Sequence, residues 1–185
     1  MERIEMKIED IDQDGVFAIS IVDRPAIESD FIYLSSEEVH FAETEKGLIV
    51  GLALIPEKDI LRRTESGEKY KIFFTSETVE QTAHLFMKNQ NTNNVTLGHE
   101  QETKGAYVVE SWIVENPKKD KVSLYGIDAK KGSWAIAMKV EDHRLKQRIL
   151  NGQFNGFSIE GKFEGIQQLS ELEKIKALLK SNGYE

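Results

Sequence analysis

The sequence predicts an α+β fold that is mainly β, in which a mostly antiparallel β-barrel is flanked by helices. About eight short runs of β-branched and aromatic residues alternate with charged segments, a pattern typical of strands. Several of these runs are apolar on both sides, which favours a barrel whose outer wall is partly covered. The chain has 185 residues and no cysteine, so it has the size of one domain and needs no disulfide to fold.

The predicted strands follow one another through most of the chain. Each is bounded by charged residues, glycine or asparagine, which are typical of turns. The strands cover residues 16–22, 47–55, 70–74, 95–99, 106–114, 122–127, 133–140 and 155–163.

Three stretches have the spacing of amphipathic helices. The first, Ser76–Lys88, has its apolar residues on one face, and Ser76 is its predicted N-cap. The second covers residues 141–150 and ends at Asn151-Gly152. The third begins with a capping box formed by Ser170 and Glu173.

The predicted organisation is one barrel domain with a helical extension. Residues 1–165 are expected to form the domain. Residues 166–185 are expected to form the C-terminal amphipathic helix, which packs on the barrel or on a partner. A homo-oligomer is one arrangement that such a helix permits.

The composition argues against several classes of function. There are 24 basic and 32 acidic residues, giving a net charge of −8, so nucleic acid is not an expected partner. No stretch approaches the ~20 apolar residues of a membrane-spanning helix. The absence of cysteine excludes thiol catalysis, and with no signal peptide at the start an intracellular protein is expected.

No metal or cofactor is expected. The four histidines, at positions 40, 84, 99 and 143, have no close metal-ligand spacing. Asp10-x-Asp12-x-Asp14-Gly15 resembles the start of a calcium loop, but such a loop needs a glutamate six residues after the glycine. That position is Ile21, so a simple turn is predicted.

His99 and Glu110 stand out because alternation places them on apolar strand faces. His99 shares a face with Val95 and Leu97, and it is either a catalytic base or a core histidine with one backbone hydrogen bond. Glu110 shares a face with Val108, where an unpaired carboxylate is costly. It either meets a histidine on a neighbouring strand or forms a buried pair with a lysine or arginine.

Ser158 lies on the polar side of a predicted strand, in the segment Gln153-Phe-Asn-Gly-Phe-Ser-Ile-Glu-Gly161. Gly156 and Glu160 share its side, and the two nearby glycines leave room for a substrate backbone. The segment lacks the second glycine of a nucleophile elbow. From the pattern alone, an ordinary strand serine is favoured over a nucleophile.

Taken in order, these pieces resemble the prohead maturation proteases of tailed bacteriophages, over residues 15–163. The histidine precedes the serine, and a short helix stands just before the serine strand. The resemblance is carried by AISIVDRPAI at 18–27, VGLALIPEKDILR at 50–62, YKIFF at 70–74, NNVTLGHE at 93–100, VVESWIVENPKKDK at 108–121 and GSWAIAMKVEDHRLKQRILNGQFNGFSIEGKF at 132–163.

The resemblance implies a fold like that of the herpesvirus assemblins, a mostly antiparallel barrel flanked by helices. It implies a serine endopeptidase that cleaves scaffold and major capsid protein inside the immature head, in the host bacterial cytoplasm. The family's serine corresponds to Ser158 and its histidine to His99. The third catalytic member is not fixed by any motif. Glu110 is the first choice on the burial argument, followed by Glu160 and Asp142.

The sequence is also compatible with two other functions. In the first, the chain is a non-enzymatic head-assembly or scaffolding protein that uses the same barrel as a binding platform. In the second, it is an unrelated small β-barrel that binds a small ligand. Proximity of Ser158 and His99 would favour the peptidase, because a serine hydroxyl needs a base within hydrogen-bonding reach.

Overall fold

The computed structural model describes residues 3–23, 47–63 and 67–165. Within these residues the fold is mainly β, as predicted. The strands are β1 (Arg3–Met6), β2 (Gly15–Val22), β3 (Leu48–Leu54), β4 (Ile60–Arg63), β5 (Lys69–Phe74), β6 (Val95–Leu97), β7 (Gln101–Thr103), β8 (Ala106–Ile113), β9 (Trp134–Val140) and β10 (Gly156–Lys162). The helices are α1 (Ser76–Lys88), α2 (Lys121–Leu124) and α3 (His143–Leu150), and a 3₁₀ turn covers Asn91–Asn93.

The described strands form three sheets. One has the order β10-β2-β6-β7, a second the order β3-β9-β8, and a third the order β1-β5-β4. Most neighbours are antiparallel, whereas β2 with β6 and β1 with β5 are parallel pairs. No closed barrel is found among the described strands, so closure of the barrel stays a prediction.

The four-stranded sheet has one apolar and one polar face. Ile19, Ile21 and Phe157 are almost fully buried in the core, in one cluster with residues of β3 and α1. Burying a side chain of this size stabilises the fold by about 1.5–3 kcal/mol. The alternate residues therefore lie on the opposite face, and that face carries the polar groups described below.

Two of the predicted helices have the expected bounds within two residues. In α1 the N-cap is Thr75, one residue earlier than predicted, and its side chain accepts a hydrogen bond from Thr78 N. In α3 the N-cap is Asp142, whose Oδ1 accepts a hydrogen bond from Leu145 N at 2.6 Å. Gly152, just after α3, has a φ of 71°, which confirms the predicted left-handed ending.

The strand predicted over residues 122–127 is wrong. Asp120 caps α2 by accepting a hydrogen bond from Val122 N at 3.0 Å, so the apolar run begins as a helical turn. Val122 and Ile127 are nonetheless both buried in the core. The local cap therefore decides the conformation where the apolar pattern alone favours a strand.

The acidic segment before β2 forms a turn, as predicted. The amides of Gln13 and Asp14 donate to Asp10 O, and Asp14 Oδ2 accepts hydrogen bonds from the amides of Glu9 and Asp10. Asp14 is thus buried as a backbone acceptor. The predicted C-terminal helix over 166–185, with its possible packing on the barrel or on a partner, lies outside the described residues, as does His40.

Candidate active site

A row of hydroxyl groups crosses the polar face of the four-stranded sheet. Ser158 of β10 is paired with Ser20 of β2, and Ser20 is paired with Thr96 of β6. Residues paired across strands point to the same side, so all three hydroxyls share one face. Ser158 is 3%, Ser20 0% and Thr96 8% exposed. The row is therefore an internal polar layer.

Glu160 adds a carboxylate to this layer. It lies two residues after Ser158 on β10, before the bulge between Glu160 and Gly161, so it has the same facing as Ser158. Its Oε1 accepts a hydrogen bond from Thr96 Oγ1 and lies 3.0 Å from His99 Nδ1. The Glu160 side chain is about one-fifth exposed, so its contacts form in a partly dehydrated environment where they are stronger than in water.

His99 reaches this layer from a tight turn between β6 and β7. Gly98 and His99 have φ values of 61° and 63°, and Glu100 N donates to Leu97 O at 3.2 Å. Positive φ at both central residues is the feature of a type I′ hairpin turn. The predicted strand over 95–99 therefore ends at Leu97, and His99 projects from the turn instead of from a strand face.

Two hydrogen bonds hold this turn against β2. The His99 amide donates to Ser20 Oγ at 2.9 Å, and the Gly98 amide donates to Ile21 O at 2.9 Å. A positive φ is uncommon for a residue other than glycine and costs about 1–2 kcal/mol. Strain of this kind persists where surrounding contacts fix the backbone, and it concentrates at functional sites.

The contacts of the His99 side chain differ from those predicted for a core histidine with one backbone hydrogen bond. Its Nδ1 contacts a carboxylate instead of a backbone carbonyl, and about one-quarter of the side chain is exposed. Because Nδ1 faces Glu160, Nε2 is the ring nitrogen left for another partner. An imidazole oriented by a carboxylate in this way is suited to act as a base through Nε2.

Ser158 and His99 are both neighbours of Ser20 and are not hydrogen-bonded to each other. Ser20 is paired with Ser158 and accepts a hydrogen bond from the His99 amide. Paired Cα atoms in antiparallel strands are about 5 Å apart. Among the described residues, the Ser158 hydroxyl forms no side-chain hydrogen bond. Catalytic hydrogen bonds are often long or absent before substrate binds.

Glu110 is not buried as the sequence predicted. Its side chain is 48% exposed and forms an ion pair with Lys121, whose pKa is lowered by partial burial. The reason is a bulge between Val108 and Glu110 on β8, which makes Val109 an extra residue and reverses the alternation beyond it. The pair with a lysine was one of the two predicted alternatives, but it lies on the surface and away from His99.

Asp142, the third acidic candidate, also serves another purpose. Its carboxylate caps α3, and none of its described contacts is with His99. Of the three carboxylates weighed from the sequence, Glu160 is thus the one that contacts the imidazole. Ser20 and Thr96 were not predicted as site residues, although a single serine within the apolar run Val16-Phe-Ala-Ile-Ser-Ile-Val22 is a signal that could have singled out Ser20.

A cavity of about 650 Å³ opens beside Glu160 on the same side of the sheet. Ala18 and Thr96 border it, so it is continuous with the polar layer. Its remaining lining comes from β2, the 3₁₀ turn and the residue after it, β6, β7, the segment that leads into β8 and the start of β8. These further residues are Phe17, Asn93, Asn94, Val95, Glu102, Thr103, Lys104, Ala106 and Tyr107.

A serine, a histidine and a carboxylate gathered on one face are the groups that serine peptidases use. The family comparison agrees with this class: the chain belongs to the family described as "Putative phage serine protease XkdF", whose model matches residues 37–167. The resemblance to phage proteases is thereby confirmed. No curated protein and no solved structure matches the chain. Within the described part of the chain, no helix is both long enough and apolar enough to span a membrane.

The contact between Ser20 and His99 leads to a stability prediction. Ser20→Ala removes the acceptor of the His99 amide and leaves that group without its partner in a strained turn. We expect the free energy of unfolding to fall by about 1–3 kcal/mol. Urea denaturation of the purified variant measures this change.

Ser133 provides a matched control for this variant. It is also 0% exposed, but its Oγ has no hydrogen-bonding partner within the described residues. Ser133→Ala should therefore be neutral or stabilising. Equal destabilisation by the two substitutions would show that the bond between Ser20 and His99 contributes nothing specific.

Proposed function

We propose that this protein is a serine endopeptidase in which Ser158 is the nucleophile, His99 the general base and Glu160 the acidic third member. The contact of 3.0 Å between Glu160 Oε1 and His99 Nδ1 carries the proposal. It leaves Nε2 for the serine, on the face that Ser158 shares. Membership of a family described as phage serine proteases supports the same reaction class.

The reaction follows from these three groups. His99 Nε2 takes the proton of the Ser158 hydroxyl as Oγ attacks the peptide carbonyl. The imidazolium then gives that proton to the leaving amine, and an acyl-enzyme remains. In the second half of the reaction, a water molecule attacks the carbonyl of the acyl-enzyme while His99 takes a proton from it. The ester bond to Oγ then breaks, and Ser158 takes that proton back from His99.

Glu160 acts through His99 in this scheme. A carboxylate on Nδ1 holds the imidazole in the tautomer that has its lone pair on Nε2, and it stabilises the imidazolium that forms. Thr96 supports this role because its hydroxyl donates to the same carboxylate oxygen. This hydrogen bond helps to hold the carboxylate in place beside Nδ1.

One movement is needed before the reaction. The separation of Ser158 Oγ and His99 Nε2 has to reach about 2.6–3.2 Å. The backbone of the turn is held by Ser20 and by Ile21, so in this proposal the Ser158 and His99 side chains adjust while the contact of His99 with Glu160 is kept. Binding of an extended substrate along the sheet by strand addition would also expel water and favour the closed arrangement.

We further propose that the substrates are scaffold and major capsid protein segments, cleaved inside the assembling prohead in the host bacterial cytoplasm. The phage origin in the family description supports this assignment. The proposal includes closure of the sheets into an assemblin-like barrel. A non-enzymatic head-assembly protein that uses the same fold as a platform is the competing function, and it requires no reactive serine.

Labelling with a biotinylated fluorophosphonate tests the nucleophile. The folded wild-type protein should form one adduct, and peptide mapping by mass spectrometry should locate it on Ser158. Activation by His99 is the reason, because an ordinary serine hydroxyl is too weak a nucleophile to react. Ser158→Ala should abolish labelling, whereas Ser133→Ala should retain it. A wild-type protein that stays unlabelled, or a Ser158→Ala protein that is still labelled, would favour the platform function.

A pair of isosteric substitutions tests the third catalytic member. Glu160→Gln keeps the size of the side chain but removes the charge that orients His99, so we expect kcat to fall by about 10²–10⁴-fold. Glu110→Gln changes an exposed pair with Lys121 and should leave kcat within about twofold. The initial rate of scaffold cleavage measures both variants. The opposite ranking would return the role to Glu110.

A further inference from the structure

The cavity beside Glu160 lies at the distance from Ser158 where substrate side chains would be held. Its near edge, Glu160, is two residues from Ser158 along β10, about 7 Å away. Glu102 also lines the cavity; it is paired with Thr96 and so lies three strand spacings from Ser158, about 14 Å. At about 3.3 Å per extended residue, this range corresponds to roughly two to four residues from the cleaved bond.

The charged groups around the cavity have an excess of negative charge. Among the residues that the structure describes, Glu102 and Glu160 line it together with one cation, Lys104. Glu160 is already engaged by Thr96 and His99. Glu102 forms no ion pair with any residue that the structure describes. A basic group entering the cavity would therefore find a carboxylate available, whereas an acidic group would meet two like charges.

The walls of the cavity suit a long aliphatic stem. Ala18 and Ala106 are small residues that leave space, and Phe17 and Tyr107 supply aromatic surface. Phe17 is 52% exposed because the bulge opposite Glu160 and Gly161 leaves it unpaired on β2. Lysine and arginine pack their methylene groups on such surfaces while the charged end reaches a polar partner.

Tyr107 contributes an uncharged side chain to the lining of the cavity. Its hydroxyl donates a hydrogen bond to Glu141 at 3.1 Å, and this bond raises the pKa of Tyr107 above its ordinary value. The phenol therefore stays protonated at neutral pH and adds no negative charge to the cavity. Lys104 is exposed, so its flexible side chain can turn to solvent when another cation enters.

From these features we infer that the cavity is a substrate subsite for a basic side chain, lysine or arginine, and that Glu102 recognises its charge. The inference rests on the proposed peptidase function and adds a specificity to it. The subsite would select peptides that carry the basic residue two to four positions from the cleaved bond. Glu102 would determine specificity without taking part in the chemical steps.

Cleavage profiling tests the inference. A peptide pool made from a denatured bacterial proteome is incubated with the enzyme, and the new termini are identified by mass spectrometry. The wild type should show enrichment of lysine or arginine at one position within four residues of the cut. Glu102→Gln should reduce this enrichment roughly three- to tenfold, and Glu102→Lys should shift it to aspartate or glutamate. Glu80→Gln makes the same charge change on an exposed site of α1 and should leave the profile unchanged.

The outcomes separate this inference from the proposed function. Cleavage without a basic preference, or a preference that Glu102→Lys does not alter, would overturn the subsite and leave the peptidase intact. Absence of cleavage by the wild type would count against the peptidase. In that case, a binding experiment tests whether the cavity recognises a basic group. ¹⁵N-labelled Ser158→Ala protein is titrated with Nα-acetyl-lysine methylamide and, separately, with its norleucine analogue.

The binding arm has its own criterion. Amide shifts at Ala18 and Ala106 that appear with the lysine compound and not with the norleucine compound would support recognition of a basic group. Their loss in a Glu102→Gln background would assign that recognition to Glu102. Equal shifts with the two compounds, or no shift with either, would overturn the inference whether or not the protein is a peptidase.

Discussion

The register of β10, β2 and β6 is the constraint on which the candidate site depends. It places Ser158, Ser20 and Thr96 in one row, and a shift of one residue in any strand would move its polar residue into the core. The apolar residues of the opposite face set this register, because Ile19, Ile21 and Phe157 must be buried together. The hydrophobic core and the polar layer therefore both result from the alternation of apolar and polar residues along these strands.

The turn carrying His99 makes use of this register. Ser20 lies in the middle of the row, and its hydroxyl accepts a hydrogen bond from the amide of His99. The neighbouring strand β10 places Ser158 and Glu160 on the same face. The parallel pairing of β2 with β6 brings the turn to this position. Small shifts in β2 would thus affect the imidazole, its carboxylate and the serine at the same time. This coupling suits a site whose parts act as a unit.

Much of the local structure could be predicted from the sequence. Alternation and β-branched runs gave β2, β3, β8, β9 and β10, and helical spacing with caps gave α1 and α3. The same alternation placed Ser158 and Glu160 on one face. The charged edge strands β1, β4 and β7 were missed. The runs of β4 and β7 have little apolar pattern, whereas β1 alternates Ile4 and Met6 with charged residues, a strand signal that was overlooked. Of these three strands, β1 alone pairs with a strand that is distant in sequence, β5.

The error at Glu110 has a different physical origin. Alternation predicts a face correctly only while the strand stays regular, and the bulge after Val108 reverses it. β8 is also the last strand of its described sheet, so a residue there can reach solvent. The contact between His99 and Glu160 could not be predicted either, because it joins residues 61 positions apart through a parallel pairing that no local pattern announces.

The tautomer of His99 gives the most direct test of the contact between Glu160 and the imidazole. Heteronuclear NMR of protein labelled with ¹⁵N-histidine, at a pH where His99 is neutral, distinguishes a proton on Nδ1 from one on Nε2. A carboxylate beside Nδ1 requires the proton on Nδ1 and a free lone pair on Nε2. A predominant Nε2–H form, unchanged by Glu160→Gln, would contradict the arrangement of the three groups.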